Sequence, residues 1–164
     1  MNNTILNHLE IEHRIKRIAY QIYESNADES NLILAGIESN GYLLARRLKK
    51  ELDSISDIET ILCKVKVDKI NPLEPVITSL PSEEYENKSI VLVDDVLNSG
   101  STLIYGIKHF LDVPIKRFKT AVLVNRNHKK YPVKADFKGI SLSTSLHEHV
   151  QVNLSKQPYE AFLC

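Results

Sequence analysis

Three short runs of apolar residues constrain the fold of this chain more than any other feature. They are residues 31–36 (NLILAG), 89–93 (SIVLV) and 120–124 (TAVLV). A continuous apolar run, unlike an alternating one, is typical of a strand that helices cover on both faces. Helical patterns separate the runs, and strands that alternate with helices predict an α/β fold with a central parallel sheet and helices on both of its faces.

Periodicity defines the elements between these runs. Isoleucines at positions 11, 15, 18 and 22 recur at helical spacing and predict an amphipathic helix over about residues 6–24. Further helices are predicted at residues 42–52 and 101–111, and further strands at residues 63–67 and from residue 135 onward. Residues 68–88 contain Pro72, Pro75 and Pro81 among several acids, and a long excursion of this kind is typical of a lid or a binding segment.

Length and charge exclude several classes of protein. The 164 residues fit one domain, and 21 basic side chains balance 21 acidic ones. Zero net charge disfavours a protein that holds nucleic acid through a strong positive field, although it allows a local basic patch. No apolar run approaches the roughly 20 residues that span a bilayer, and residues 1–9 lack a signal-peptide pattern. Cys63 and Cys164 support neither a disulfide nor a zinc site, so a reducing cytoplasm is the expected location.

The segment of residues 89–107 carries the chemistry. A buried strand delivers two adjacent carboxylates, Asp94 and Asp95, at its C-terminal end, where open α/β sheets bind ligands. The predicted turn over residues 94–100 suits a phosphate, because Gly100 allows a close approach of the backbone and the free N–H groups of the next helix favour an anion. Because like charges repel, the carboxylates suit vicinal hydroxyls or a metal ion instead. The segment therefore predicts a site for a sugar diol beside a phosphate.

Residues 93–102 (VDDVLNSGST) resemble the phosphoribosyl diphosphate signature of type I phosphoribosyltransferases. In that signature a hydrophobic strand precedes two acids, two apolar residues, a variable residue, Thr or Ser, Gly, a variable residue and Thr. Residues 34–41, 121–136 and 139–145 are also similar to the family, above all to the bacterial pyrimidine-operon attenuation regulators that are uracil phosphoribosyltransferases. The alternative, in which acids end a strand and hydroxyls cap a helix, explains single residues but not the whole string.

The resemblance implies a role for each matching residue. The ribose hydroxyls would bind the catalytic carboxylates Asp94 and Asp95. The 5′-phosphate would lie against Asn98, Ser99, Gly100, Ser101 and Thr102. The pyrophosphate loop would consist of Glu38, Ser39, Asn40 and Gly41, and the base would be read by Asn125, Asp136 and Phe137. Residues 64–75 would form the mobile loop, and about residues 125–164 with the N-terminal segment would form a small hood within one domain of residues 1–164.

The resemblance also implies an activity. It is the Mg²⁺-dependent transfer of a phosphoribosyl group between phosphoribosyl diphosphate and a nucleobase, with a uracil-like base favoured, as part of nucleotide metabolism. Mg²⁺ would be held mainly through the ligand. The implied partners are phosphoribosyl diphosphate or nucleoside monophosphate, a nucleobase and further copies of this chain, without a membrane. RNA is a partner that the zero net charge disfavours.

Three departures from the family pattern bear on catalysis. Glu38, Ser39 and Asn40 stand in a loop that is basic in the regulators, and Ser101 replaces an arginine of their signature. Asn125 is neutral and can both donate and accept, so it fits more than one base. Two missing positive contacts weaken the stabilisation of a departing diphosphate. A second function therefore stays open, a weakly catalytic or non-catalytic sensor of nucleotide or phosphoribosyl diphosphate on the same fold.

Other polar clusters have two interpretations each. His147 and His149 flank Glu148 and predict either a surface metal site, if they share a strand face, or a polar edge of the hood. Three lysines at positions 64, 66 and 69 either form a solvated strand face or cover the diphosphate. The basic clusters at residues 116–119 and 126–130 lack interleaved aromatic residues and are interpreted as solvated loops.

Overall fold

The computed structural model describes residues 3–164, and within that range it contains nine strands and four helices. In chain order the elements are β1 (Asn3–Leu6), α1 (His8–Ser25), β2 (Asn31–Ile37), α2 (Asn40–Ile55), β3 (Glu59–Lys66), β4 (Ile77–Thr78), α3 (Ser82–Tyr85), β5 (Ser89–Leu97), α4 (Ser101–Phe110), β6 (Arg117–Arg126), β7 (Phe137–Leu142), β8 (Val150–Asn153) and β9 (Glu160–Leu163).

A six-stranded sheet forms the centre, in the order β4-β3-β2-β5-β6-β7. Its strands are parallel except for β4, which pairs antiparallel with β3 at the edge. Alternate residues of β2 pack on opposite faces, with Leu32 and Leu34 towards α1 and α2, and Ile33 and Ala35 towards α4. The predicted central parallel sheet with helices on both faces is confirmed.

A second, three-stranded sheet in the order β1-β9-β8 joins the two ends of the described chain. All its pairings are antiparallel. Leu6, Val152 and Ala161 connect this sheet to the hydrophobic core under α1. The sequence did not predict β1, because this strand is short and mostly exposed. Since β7 belongs to the central sheet, the hood range predicted from about residue 125 begins too early.

Two predicted boundaries near the C-terminal edge of the sheet are corrected. β5 continues through Asp94 and Asp95 to Leu97 because it pairs with β6 up to Asn125, so only residues 98–100 form the turn that was predicted over residues 94–100. Helix α2 begins at Asn40, two residues earlier than predicted. Both corrections move predicted site residues from loops into regular elements, whose geometry positions them more firmly.

The first helix begins at a capping box. The side chain of Asn7 accepts a hydrogen bond from the Glu10 N–H, and the Glu10 carboxylate accepts one from the Asn7 N–H, at 2.9 and 2.8 Å. This cap explains why α1 starts at His8 rather than at residue 6. Among residues 3–164, no helix is both long and apolar enough to cross a bilayer.

Candidate active site

A cavity of about 250 Å³ opens where β5 ends and α4 begins. The edge at the carboxyl ends of parallel strands is where ligands bind in α/β sheets. The cavity is lined by the predicted ribose-binding and phosphate-binding residues and by their neighbours in β5 and α4. Single residues of the segment after β3 and of β8 complete the lining. These lining residues are Lys69, Asp94, Asp95, Val96, Leu97, Asn98, Ser99, Gly100, Ser101, Thr102, Leu103 and Val150. The structure thus brings all the predicted ribose and phosphate residues together around one cavity.

The turn between β5 and α4 is shaped by glycine. Gly100 has a φ of +90°, in the left-handed region that favours glycine. No side chain caps α4, and residues 101–103 of its first turn line the cavity. The Ser101 N–H donates to Oγ of Ser99 at 3.2 Å, and the remaining N–H groups of the first turn, with three nearby hydroxyls, make this turn chemically suited to a phosphate.

Gly100 is also crowded from outside the cavity. A Cβ at this position would lie 2.4 Å from Cγ2 of Val133, in the connection between β6 and β7. The same connection holds the turn through the carbonyl of Ser99, which accepts the N–H groups of Lys130 and Tyr131 at 2.7 and 3.1 Å. A larger residue at position 100 would therefore disturb the support of the turn before it reached a bound anion.

The two adjacent carboxylates have different surroundings. Asp94 is 3% exposed, and its Oδ1 accepts the N–H of Asp95 at 2.9 Å. Burial and then the charge of Asp95 raise the pKa of Asp94 above its ordinary value, while Lys69 acts in the opposite direction. Asp95 is half-buried, with Oδ1 accepting the N–H of Val96 and Oδ2 accepting Nδ2 of Asn40 at 3.2 Å. The pair combines one buried carboxyl with one that solvent and a ligand can reach.

The predicted pyrophosphate loop packs beside these carboxylates. A Cβ on Gly41 would lie 2.6 Å from the carbonyl oxygen of Val93 and 3.1 Å from Oδ1 of Asp94, so only glycine allows this approach. The Glu38–Ser39 peptide bond is cis, and both side chains are exposed. The loop therefore lies next to the cavity, but its carboxylate faces solvent.

Positive charge comes close to Glu38 from the neighbouring strand. The N–H of Glu38 donates to the carbonyl of Val65 at 2.9 Å. Glu38 lines a pocket of about 160 Å³ together with Lys64 and Lys66. The Nζ of Lys64 also lies 4.8 Å from the ring centroid of Tyr42, within cation–π range. Lys69, by contrast, lines the ribose and phosphate cavity itself.

The three predicted base-reading residues do not lie together. Asn125 lies near the end of β6, is 6% exposed, and donates from Nδ2 to Oγ of Ser141 at 3.3 Å. Its Oδ1 is buried without a hydrogen-bond partner. A buried acceptor that lacks a partner is costly, and such groups are typical of sites that a ligand completes.

Asp136 and Phe137 lie further back along the strands, level with the middle of β6. Phe137 pairs with Ala121, whereas Asn125 pairs with Ser141, about four residues or roughly 13 Å further along the strands. The Asp136 carboxylate accepts the N–H of Thr120 at 2.9 Å, and Phe137 is buried in the core. The structure places these two residues at the entry to β7, away from Asn125, so they form no joint base-reading group with it.

Arg126 is a residue that the sequence interpretation missed. It was placed in a solvated basic cluster, yet it is 6% exposed. Its guanidinium donates to Oδ1 of Asn98 in the phosphate turn at 3.0 Å and to Oγ1 of Thr144 at 2.9 Å. It also donates to the carbonyls of Ser145 and Glu148 at 3.3 and 2.6 Å. The available signal was its position two residues after the apolar run of residues 120–124.

The His147 to His149 triplet forms no strand face. It lies in the connection between β7 and β8, where the Glu148 carboxylate accepts the N–H of Ser145 at 2.7 Å. Within residues 3–164, no three His, Cys, Asp or Glu side chains are grouped to hold a metal ion. The polar-edge interpretation of this triplet fits the structure, and the metal interpretation does not.

Comparison with known proteins agrees with the resemblance seen in the signature. The family model described as phosphoribosyl transferase domain matches residues 1–157. The bifunctional protein PyrR of Clostridioides difficile is 35% identical over 153 residues, covering 88% of this chain and 86% of that protein. The bifunctional protein PyrR of Haemophilus ducreyi is 32% identical over 160 residues, covering 93% and 89%.

Solved structures show the same fold. The hypoxanthine-guanine phosphoribosyltransferase of Bacillus anthracis superposes with a TM-score of 0.81 at 16% identity, covering 99% of this chain and 96% of that one. The hypoxanthine phosphoribosyltransferase of Trypanosoma cruzi, solved with the product IMP, has a TM-score of 0.76 at 19% identity, covering 91% and 83%. With the family match and the signature around its cavity, this chain belongs to the type I phosphoribosyltransferase family.

Proposed function

We propose that this phosphoribosyltransferase uses a uracil-like base with Mg²⁺, and that it binds nucleoside monophosphate at least as tightly as phosphoribosyl diphosphate. The observation that carries the proposal is the single cavity shared by the carboxylate pair and the glycine turn. A ribose 5-phosphate needs both features at this spacing, with its hydroxyls on the carboxylates and its phosphate at the start of α4.

The protein contributes positioning and charge rather than a covalent step. Asp95 accepts a ribose hydroxyl, and its charge supplies negative potential beside the ribose ring, next to the buried Asp94. That potential favours the positive charge that develops on the ribose carbon as its bond to the leaving group breaks. The phosphate turn fixes the other end of the sugar, so the reacting carbon is held in one orientation.

Asn125 supports the assignment of the base. Its unpartnered Oδ1 accepts an N–H, and its Nδ2 retains a second hydrogen to donate to a carbonyl. An amide of this kind complements a base edge on which an N–H adjoins a carbonyl. Uracil presents such an edge, and so does hypoxanthine, which makes hypoxanthine the appropriate competitor in an assay.

The residues present fit Mg²⁺ held mainly through the ligand. Mg²⁺ is usually bound by one or two carboxylates together with waters and substrate phosphates, rather than by a cage of protein ligands. The cavity offers Asp94 and Asp95, and no larger group of metal ligands occurs within residues 3–164. Mg²⁺ held there would neutralise part of the charge on a diphosphate.

The test is a double substitution of the carboxylates. In the Asp94→Asn/Asp95→Asn variant, calorimetry should find binding of uridine monophosphate weakened by at least tenfold, and consumption of uracil with phosphoribosyl diphosphate should be lost. The matched control is Asp28→Asn/Asp57→Asn, the same change in charge at two exposed positions that precede β2 and β3 at the opposite edge of the sheet. Undiminished nucleotide binding by the first variant would remove the basis of the site.

A sensor of low turnover on the same fold is the second candidate. The observation that favours it is the loop of residues 38–41, where Glu38 is exposed and Asn40 is engaged with other groups of the protein. Neither side chain brings positive charge to a leaving diphosphate. A wild-type enzyme that binds uridine monophosphate tightly but consumes uracil only slowly would favour the sensor, and robust turnover would exclude it.

A further inference from the structure

The side chain of Asn40 bridges three elements that are far apart in the chain. Its Nδ2 donates to Oδ2 of Asp95 on β5 at 3.2 Å and to the carbonyl oxygen of Val152 on β8 at 2.8 Å. Asn40 itself is the first residue of α2. The amide therefore donates both of its hydrogens, one to a residue predicted to bind the ribose and the other to the backbone of the second sheet.

This bridge completes the hydrogen bonding of the Asp95 carboxylate. Oδ1 accepts the N–H of Val96 at 2.9 Å, and Oδ2 accepts Asn40. With a donor on each oxygen, the plane of the carboxylate is set before a ligand arrives. Each carboxylate oxygen can accept two hydrogen bonds, so Oδ2 keeps one lone pair for a sugar hydroxyl.

The chemistry of the donor is suited to this task. A lysine or arginine here would form an ion pair with Asp95, and the fixed positive charge would compete with a hydroxyl for the carboxylate. The neutral amide orients Asp95 without cancelling its charge. At the same time it connects the carboxylate to β8, whose residue Val150 lines the same cavity.

We propose that Asn40 is a positioning residue that holds Asp95 ready for a ribose hydroxyl and couples this carboxylate to the second sheet. The inference rests on the proposed function in one respect, the assignment of Asp95 to the ribose. It adds that one residue of the loop expected to bind diphosphate also serves the ribose. The site is consequently organised for a nucleotide before any diphosphate is bound.

The test compares two nucleotides on two variants. Asn40→Ala removes the amide, and Asn40→Asp keeps its shape but removes the donor. Calorimetry with uridine monophosphate should show affinity reduced about tenfold in Asn40→Ala and further in Asn40→Asp, because a second carboxylate repels Asp95. With 2′,3′-dideoxyuridine monophosphate, which offers Asp95 no hydroxyl, the Asn40→Ala variant should bind within about twofold of wild type.

The ratio of the two affinities within each protein separates positioning from general damage, since any loss of folded protein lowers both affinities equally. Equal losses for both nucleotides, or no loss for either, would overturn the inference. Wild type reports on the proposed function separately, because equal binding of the two nucleotides by wild type would refute the ribose assignment itself. Gln151→Ala is the control on β8, since this side chain is exposed and neighbours Val152 without contributing to the bridge. It should leave both affinities unchanged.

Discussion

At the scale of single residues, Asp94 and Asp95 occupy different environments although they are adjacent in the chain. Asp94 is buried beside a second acid, and Asp95 is half-buried with a donor on each oxygen. The buried carboxyl lowers the stability of the fold when it is ionised, because burial penalises its charge. A site that places two adjacent carboxyls beside a ribose retains this cost, as functional sites often do.

The pKa of Asp94 predicts how stability depends on pH. Burial raises this pKa above that of the unfolded chain, so within the window between the two pKa values the unfolded chain releases a proton that the folded protein keeps. Stability therefore falls as pH rises through that window. Asp94→Asn should raise the melting temperature near pH 7, by about 2–4 °C for each kcal/mol gained in a domain of this size.

The gain should disappear below about pH 4, near the ordinary pKa of Asp, where both states are protonated. Thermal unfolding of wild type and Asp94→Asn across this pH range measures it. Asp57→Asn, at an exposed position, is the control and should show little gain. A pH-independent difference between Asp94→Asn and wild type would contradict the role of the buried charge.

Charge in the loop of residues 38–41 gives a second prediction. Because Asn40 is engaged with Asp95, Glu38 and Ser39 are better positions than Asn40 for introducing basic residues. Glu38→Lys should raise kcat for uracil and phosphoribosyl diphosphate about tenfold, since positive charge acts most strongly where negative charge accumulates in the transition state. Affinity for uridine monophosphate should change little.

Glu83→Lys makes the same change of charge at an exposed position of α3 and should leave kcat unaltered. If Glu38→Lys fails to raise kcat, the lysines at positions 64 and 66, which share a pocket with Glu38, already supply the charge.

At the scale of elements, the phosphate turn depends on the strand next to it. The connection from β6 to β7 holds the Ser99 carbonyl through two N–H groups and crowds Gly100 through Val133. Arg126 at the end of β6 adds a bond to Asn98 and reaches residues 144–148 on its other side. The turn and the segment that leads to β8 are thus held by one buried guanidinium.

Removing this guanidinium should loosen both segments together. Arg126→Met keeps the length of the side chain but removes the hydrogen bonds of the guanidinium, and a hydrogen bond to a charged group is typically worth about 1.5–3 kcal/mol. We expect affinity for uridine monophosphate to fall at least tenfold and the melting temperature to drop by several degrees. Arg126→Lys should lie between Met and wild type, because an ammonium restores charge but not the planar fork.

Calorimetry and thermal unfolding measure both effects. Arg46→Met, on the exposed side of α2, is the matched control and should resemble wild type. Normal nucleotide binding by Arg126→Met would show that the turn holds its shape without this arginine.

At the scale of the whole molecule, the cavity depends on both ends of the described chain. β8 supplies Val150 to its wall, β9 pairs with β8, and β1 pairs with β9. Leu6 ends β1, is 3% exposed, and joins the core under α1. The second sheet therefore rests on the central sheet through a few apolar side chains and the Asn40 bridge.

Leu6→Ala should weaken this attachment. Truncating a buried leucine typically costs about 2–5 kcal/mol. Hydrogen exchange should accelerate first in β8 and β9, while the amides of β5 and β6 stay protected. Leu9→Ala, at a position that is 64% exposed, should leave exchange unchanged. Equal acceleration in both sheets would show that they unfold as one unit.

The sequence by itself determined the fold class and the ribose and phosphate segment. Both depend on local patterns: apolar runs covered on two faces, and a strand, a carboxylate pair and a glycine turn within residues 89–102. Residues so close in sequence meet in any fold that forms the strand and the helix, so their spacing alone predicts the cavity.

Only the tertiary structure decided which distant residues complete that cavity. Asn40 reaches Asp95 and Val152 across 55 and 112 residues, and Arg126 reaches Asn98 across 28. Phe137 lies roughly 13 Å from Asn125 along the strands although the two residues are near in sequence. These relations follow from strand order and register, which arise when the strands pair, and hydrophobic periodicity specifies the faces of a strand without specifying its neighbours.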